Sequence, residues 1–288
     1  MSLIEGLQTS PALLLTTTAL LGLIVGSFLN VVILRLPRMM ERTWRQEARQ
    51  ILELEPVDEA PFSLLHPPSS CPGCGARIKP WHNVPVLGWL WLRGRCAACG
   101  LWISVQYPLV EIAAGVMGAL CALRFGWSPQ LAGALVFSWT LLALAVIDLR
   151  TQLLPDDLTL PLLWAGLLLS LFPLFAPPEA SIIGAVAGYM SLWLVYQLFK
   201  LVTGREGMGF GDFKLLAAIG AWLGWQALPM VILLSSLVGA VVGIGMIALL
   251  RHDRRVPIPF GPYLAAAGWL ALMYGEALQG AYLRTSGL

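Results

Sequence analysis

Two aspartates and four cysteines are the residues of this 288-residue chain whose types and settings point to chemistry. Asp212 closes the string Gly207-Met-Gly-Phe-Gly-Asp212. Its glycines, Gly207, Gly209 and Gly211, remove side chains around a carboxylate and let an extended substrate or a second helix approach. Asp148 precedes Leu-Arg-Thr-Gln-Leu-Leu-Pro155-Asp156-Asp157, a proline-bounded turn. Two carboxyls brought together do not both ionise easily, so the pair shares one proton near neutral pH. The ionised member then draws a proton from water as it attacks a peptide carbonyl, while the protonated member donates to the carbonyl oxygen. Each aspartate also has a structural reading. Asp148 beside Arg150 is then a solvated residue at a helix end, and Asp212 an N-cap on the backbone amides of the helix after it. The sequence has no H-E-x-x-H and no Ser–His pairing near a nucleophile turn to supply another hydrolytic centre.

The cysteines form a different pattern. Cys71-Pro-Gly-Cys74 and Cys96-Ala-Ala-Cys99 make C-x2-C-x21-C-x2-C, two knuckles that can present four thiolates to a metal ion, with zinc the expected one. Gly73, Gly75 and Gly100 suit the tight turns. Two disulfides or four free thiols are the competing readings, and a cytoplasmic setting disfavours the disulfides. Four protein thiolates close the coordination shell, so the metal holds the loop together and does not activate water. Cys121 reads as a small buried hydrophobe.

These residues must be positioned by membrane helices. Apolar residues make up 58% of the chain against 12% charged, where a soluble domain is nearer half and a quarter. Spanning the hydrocarbon takes about 20 residues of helix. Eight spans are expected: Pro11–Leu34, Tyr107–Leu123, Leu131–Ile147, Leu158–Phe175, Ser181–Phe199, Phe213–Leu228, Val231–Leu250 and Phe260–Tyr274. Gly224 and Pro229 divide the sixth from the seventh. The uncharged run Gly6–Leu34 lacks a basic leader, so it reads as a retained helix and not a cleaved signal peptide.

Charge sets the orientation. Nine of the 18 Lys and Arg lie between Arg35 and Arg95. With that segment in the cytoplasm, alternation also places Arg150, Lys200, Arg205, Lys214, Arg251, Arg254 and Arg255 inside, leaving Arg124 and Arg284 outside. Asp148, ending the third span, and Asp212, beginning the sixth, then share the cytoplasmic face. A net charge of +2 gives no field that would favour nucleic acid. The expected organisation is a first transmembrane helix (1–34), a cytoplasmic loop with the four-cysteine module (35–105) and a polytopic membrane domain with the aspartates (106–288). A surface amphipathic helix is expected over Glu41–Glu59. Gly26, Ser27 and Asn30 in the first span fit tight helix packing, with substrate contact as the alternative.

In these motifs the chain resembles the type IV prepilin peptidases, the prepilin leader peptidase/N-methyltransferase family. The resemblance runs through Gly26-Ser-Phe-Leu-Asn-Val-Val-Ile33, Arg35-Leu-Pro37, the four cysteines, Asn83-Val-Pro85, Leu92-Arg-Gly-Arg-Cys96, Ile103-Ser104, Tyr107-Pro108, Glu111, Asp148, Leu154-Pro155-Asp156, Gly204 through Lys214 and Ile258 through Pro262. It implies an aspartic membrane protease of the bacterial inner membrane with Asp148 and Asp212 as its catalytic pair, supported by Gly209, Gly211 and Asp156. Its implied substrates are type IV prepilins and type II secretion pseudopilins, cut after a glycine on the cytoplasmic side. Members with the cysteine module also methylate the new N-terminus with S-adenosylmethionine, for which Gly94 and Glu111 are the candidate contacts. A peptidase without methylation, or a transporter with ion-binding aspartates, is the competing function. The sequence leaves the oligomeric state open.

Overall fold

The computed structural model describes residues 3–55, 60–250 and 258–286. Helices α1 (Leu3–Thr9) and α2 (Pro11–Ile51) open the chain, followed by a 3-10 turn (Pro80–Asn83), α3 (Leu87–Trp91) and α4 (Gln106–Phe125). Helices α5 (Pro129–Thr151), α6 (Asp156–Ser170), α7 (Pro178–Thr203), α8 (Phe210–Leu223), α9 (Leu228–Leu250) and α10 (Gly261–Ser286) follow. Among the described residues, extended pairing is limited to two isolated antiparallel bridges, Ser70 with Arg77 and Arg95 with Trp102. The expected all-α class is the observed one. Two compact units divide between Trp127 and Ser128, so α4 groups with α2 and the cysteine loop.

Among the described residues, five segments are long and apolar enough to cross a membrane: Pro11–Ile51, Gln106–Phe125, Pro129–Thr151, Pro178–Thr203 and Trp225–Met246. Each of the eight expected spans contains a helix, but not all have spanning length. α6 has 15 residues and α8 has 14, which at about 1.5 Å each fall short of roughly 30 Å of hydrocarbon. The sequence windows were extended by Leu171–Phe175, which is not helical, and by the Trp225–Ala227 turn. Gly224 does end α8, at φ +79°, while Pro229 sits in the first turn of α9, where its missing N–H costs nothing.

In the first unit α2 is one helix of 41 residues, roughly 60 Å long and twice the hydrocarbon thickness. The separate surface helix expected over Glu41–Glu59 is therefore corrected: residues through Ile51 continue α2 across Pro37, and 56–59 lie outside the described residues. Leu20, Ile24 and Phe28 repeat at helical spacing and are exposed, an apolar stripe suited to lipid. The opposite face packs on α4. A Cβ at Gly26 would stand 2.6 Å from Glu111 Cα, so only glycine allows this approach. Asn30 is buried and its Nδ2 donates across the helices to Tyr107 O at 3.0 Å. Both observations support the packing reading of these residues. Beyond the apolar stretch, Arg35 donates to the carbonyls of Ser63, Leu64 and Pro67, and the Phe62 ring lies 4.4 Å from the Arg42 guanidinium carbon.

In the second unit α7 and α8 cross where Gly184 faces Gly220 backbone to backbone. Ser181 Oγ donates to Ala221 O at this crossing. Trp222 is 1% exposed, lies against the Phe137 and Phe175 rings, and donates from Nε1 to Leu162 O at 2.7 Å. This one side chain ties α8 to α5 and α6, and so fixes the helix that carries Asp212.

Candidate active site and metal centre

Asp148 lies in the last turn of α5 and is 5% exposed; Asp212 lies in the first turn of α8 and is 8% exposed. The solvated reading of Asp148 fails on that burial. The N-cap reading of Asp212 also fails, because α8 begins at Phe210 and its N-cap is Gly209. Asp148 Oδ2 accepts a 2.9 Å hydrogen bond from the N–H of Gly261, the first residue of α10. A Cβ at Gly261 would stand 2.6 Å from that oxygen and 3.1 Å from both Leu154 methyl carbons. A Cβ at Gly211 would stand 2.7 Å from Leu154 Cβ. Leu154 thus touches the residue that holds Asp148 and the residue that precedes Asp212, which brings the two carboxyls to one place within electrostatic reach.

Asp212 Oδ1 is buried and has no hydrogen-bond partner among the described residues. A carboxyl oxygen left unpaired away from water is costly unless something else engages it. Gly209 has nothing within 4 Å of where its Cβ would be, so the approach on that side is open. Gly211 instead serves the close contact with Leu154. Asp156, first residue of α6, pairs with Lys214 of α8 at 2.7 Å, a half-exposed pair that links the two helix starts. Such a pair contributes at most about 1 kcal/mol. Leu154 and Gly261 fell within recognised motifs, but nothing in the sequence marked them as the contacts that assemble the site.

The four cysteine sulfurs lie within 4.8 Å of one another, with Cys71 Sγ and Cys99 Sγ 3.7 Å apart. Tetrahedral thiolates at about 2.3 Å from zinc stand roughly 3.8 Å from each other, so the cluster fits a metal ion. The knuckles match each other locally. Gly75 N–H donates to Cys71 O and Gly100 N–H to Cys96 O, each at 2.9 Å, with φ of +71° and +73°. The backbone N–H groups of Cys99 and Ala98 hold the Cys96 thiol down to about 6, below its ordinary value. The closing bridges Ser70–Arg77 and Arg95–Trp102 make each knuckle a short hairpin.

Beside this cluster, within the same unit, lies a cavity of about 520 Å³. Cys71, Cys96, Trp89, Trp102 and Glu111 are among its walls. Glu111 is 6% exposed, and its Oε2 accepts the Val86 N–H at 2.7 Å. Gly94 is not a wall of the cavity. It sits at φ +68° where a Cβ would come within 2.8 Å of the Trp89 ring. Its place is behind the indole.

The molecule is thus an all-α integral membrane protein with a buried aspartate pair in one unit and a four-thiol, metal-fitting loop in the other. The chain belongs to the type IV leader peptidase family. The family described as Type IV leader peptidase family matches residues 135–244, and the Bacterial Peptidase A24 N-terminal domain matches residues 20–125. The prepilin leader peptidase/N-methyltransferase of Stutzerimonas stutzeri is 53% identical over 286 residues, 99% of each chain. That of Pseudomonas aeruginosa is 52% identical over 288 residues, covering 100% of this chain and 99% of its own. That of Aeromonas hydrophila is 53% identical over 285 residues, 98% of each. No solved structure matches the chain.

Proposed function

We propose that this protein removes the leader peptide from type IV prepilins and type II secretion pseudopilins at the cytoplasmic face of the bacterial inner membrane, and then methylates the new N-terminal amine. The observation that carries the protease half is the convergence of buried Asp148 and Asp212 on Leu154, Gly211 and Gly261. Asp148 Oδ2 already accepts an N–H from Gly261, so this carboxyl is held as an acceptor and Asp148 is assigned as the base that takes a proton from attacking water. Asp212, with an unpartnered oxygen, holds the shared proton and donates it to the carbonyl oxygen. The opening beside Gly209 admits the extended peptide, and Asp156 with Lys214 aligns the starts of α6 and α8.

For the second half, Cys71, Cys74, Cys96 and Cys99 hold a structural zinc ion, and S-adenosylmethionine supplies an electrophilic methyl group for the pilin amine. The orientation rests on the Lys and Arg distribution, of which Arg251, Arg254 and Arg255 lie outside the described residues. A transporter reading has no comparable support: the aspartate pair is held by a tight glycine contact where an ion site would gather several oxygens.

Mass spectrometry of a pilin N-terminus after incubation with the detergent-solubilised enzyme reads both activities. The expected product is shortened by its leader and heavier by one methyl group; an unshortened pilin sinks the protease reading, and a shortened unmethylated one leaves the peptidase-only alternative. Gly261→Ala tests the geometry. Its methyl group meets Asp148 Oδ2, and a displacement near 1 Å is expected to lower kcat for cleavage by about 100-fold. Cleavage at the parental rate would show that the Gly261 contact does not set the catalytic geometry.

A further inference from the structure

The methyl donor's place in the chain is not fixed by the aspartates or by the metal ligands, and the first unit contains a cavity whose walls fit it. We infer that the cavity of about 520 Å³ beside the cysteine cluster binds the adenosyl part of S-adenosylmethionine, with the Glu111 carboxylate accepting the ribose hydroxyls and Trp89 and Trp102 flanking the base. This rests on the methyltransferase half of the proposed function.

Four features of the cavity carry the assignment. Its volume is within the range of about 300–1,000 Å³ typical of small-molecule and cofactor sites. Its one acidic wall residue is Glu111, which is more than nine-tenths buried. A carboxylate offers about four acceptor positions; the Val86 N–H and the Ser27 hydroxyl use two of them, so capacity remains for a vicinal diol. An acidic side chain on the ribose is a recurrent solution for nucleotide binding. Two indoles supply flat faces for a purine, and the ring faces also favour a nearby sulfonium. The basic wall residues, Arg77 and Lys79, are exposed and stand where a ligand's carboxylate reaches solvent.

The backbone is strained at this same place. Val86 has φ +61° and ψ −50°, and Leu87 N–H donates to Pro85 O at 2.6 Å. That is a γ-turn of the rarer, strained hand, built on a β-branched residue. Such strain persists where surrounding contacts over-determine it, commonly at ligand clamps. Here the turn aims the Val86 N–H at Glu111 and so fixes the carboxylate on the cavity wall. Gly94 enters the same assembly from behind: any side chain there pushes the Trp89 ring, whose Nε1 donates to Ile103 O at 3.2 Å. Cys71 and Cys96 are walls as well, so the metal cluster shapes the cavity directly.

The test uses the full-length, zinc-loaded protein in detergent, with S-adenosylhomocysteine and adenosine as probes in titration calorimetry. The parent chain is expected to bind one S-adenosylhomocysteine. Glu111→Gln, whose side-chain carbonyl still accepts from Val86, is expected to lose about tenfold in affinity for both probes. Replacing Arg77 and Lys79 together by Ala is expected to weaken S-adenosylhomocysteine and leave adenosine unchanged. Zinc content and the melting temperature report whether each variant is folded. If Glu111→Gln also loses zinc, Trp102→Ala at the exposed mouth decides, with weaker binding of both probes expected. Parental affinity in folded Glu111→Gln, or in Trp102→Ala where that variant decides, overturns the cavity assignment while the methyltransferase reading stands. No binding of S-adenosylhomocysteine by the parent chain overturns both.

Discussion

Asp148→Asn and Asp212→Asn are each expected to leave a prepilin uncut under conditions in which the parent enzyme processes it, with kcat lowered by about 10²–10⁴-fold or more. Asparagine keeps the volume and shape of the side chain, so the packing around Leu154 and Trp222 is undisturbed. In Asp148→Asn the side-chain oxygen can still accept from Gly261, and the loss is confined to proton transfer. In Asp212→Asn the donor to the carbonyl oxygen disappears. Because the two carboxyls share one proton, they act as a unit, and the double variant is expected to be about as inactive as either single one. Methylation of a synthetic mature pilin N-terminus provides the internal control, since the residues assigned to it lie in the other unit. Either asparagine variant retaining more than a tenth of parental cleavage would remove that residue from the catalytic pair.

What the sequence disclosed and what it concealed follow from the physics of each signal. The cysteine cluster was legible because two C-x2-C knuckles encode their own turns, and Gly75 and Gly100 take the positive φ that those turns require. The aspartates were legible because an ionisable group near a membrane span is expensive and therefore conspicuous. Helix positions were legible from apolar runs, whereas lengths were not. Nothing in the composition of Leu158–Phe175 shows that helix α6 stops at Ser170. The continuation of α2 to Ile51 was hidden because the pattern changes from apolar to charged inside one unbroken helix.

The contacts that assemble the site were the least visible. The Gly261 amide that holds Asp148 is 113 residues away in sequence, and a backbone N–H has no side-chain signature. The strained turn at Val86 was equally silent, since a β-branched residue argues against positive φ and only the Glu111 carboxylate explains what the turn achieves. Gly94, a candidate contact for the methyl donor, stands behind Trp89, where a Cβ would come within 2.8 Å of the ring, a closeness that its sequence neighbours do not announce.

Replacing Cys71 or Cys96 by Ser is expected to reduce bound metal from about one ion per chain to near zero and to abolish methylation, while cleavage stays within a few-fold of the parent. Four thiolates around zinc contribute apparent binding energies of about 10–16 kcal/mol in small folded modules, and that energy is folding energy for the loop. The module has few alternatives to it, because its sulfurs sit on two short hairpins closed by single bridges. Cys71 and Cys96 also line the cavity, so loss of the ion loosens the wall that the methyl donor is assigned to meet. The aspartate unit contains none of these ligands, which is why cleavage is expected to survive. Chelation of the parent protein should reproduce the phenotype, and added zinc should reverse it. Elemental analysis that finds no metal in protein still able to methylate would show that the four thiols hold the loop without an ion.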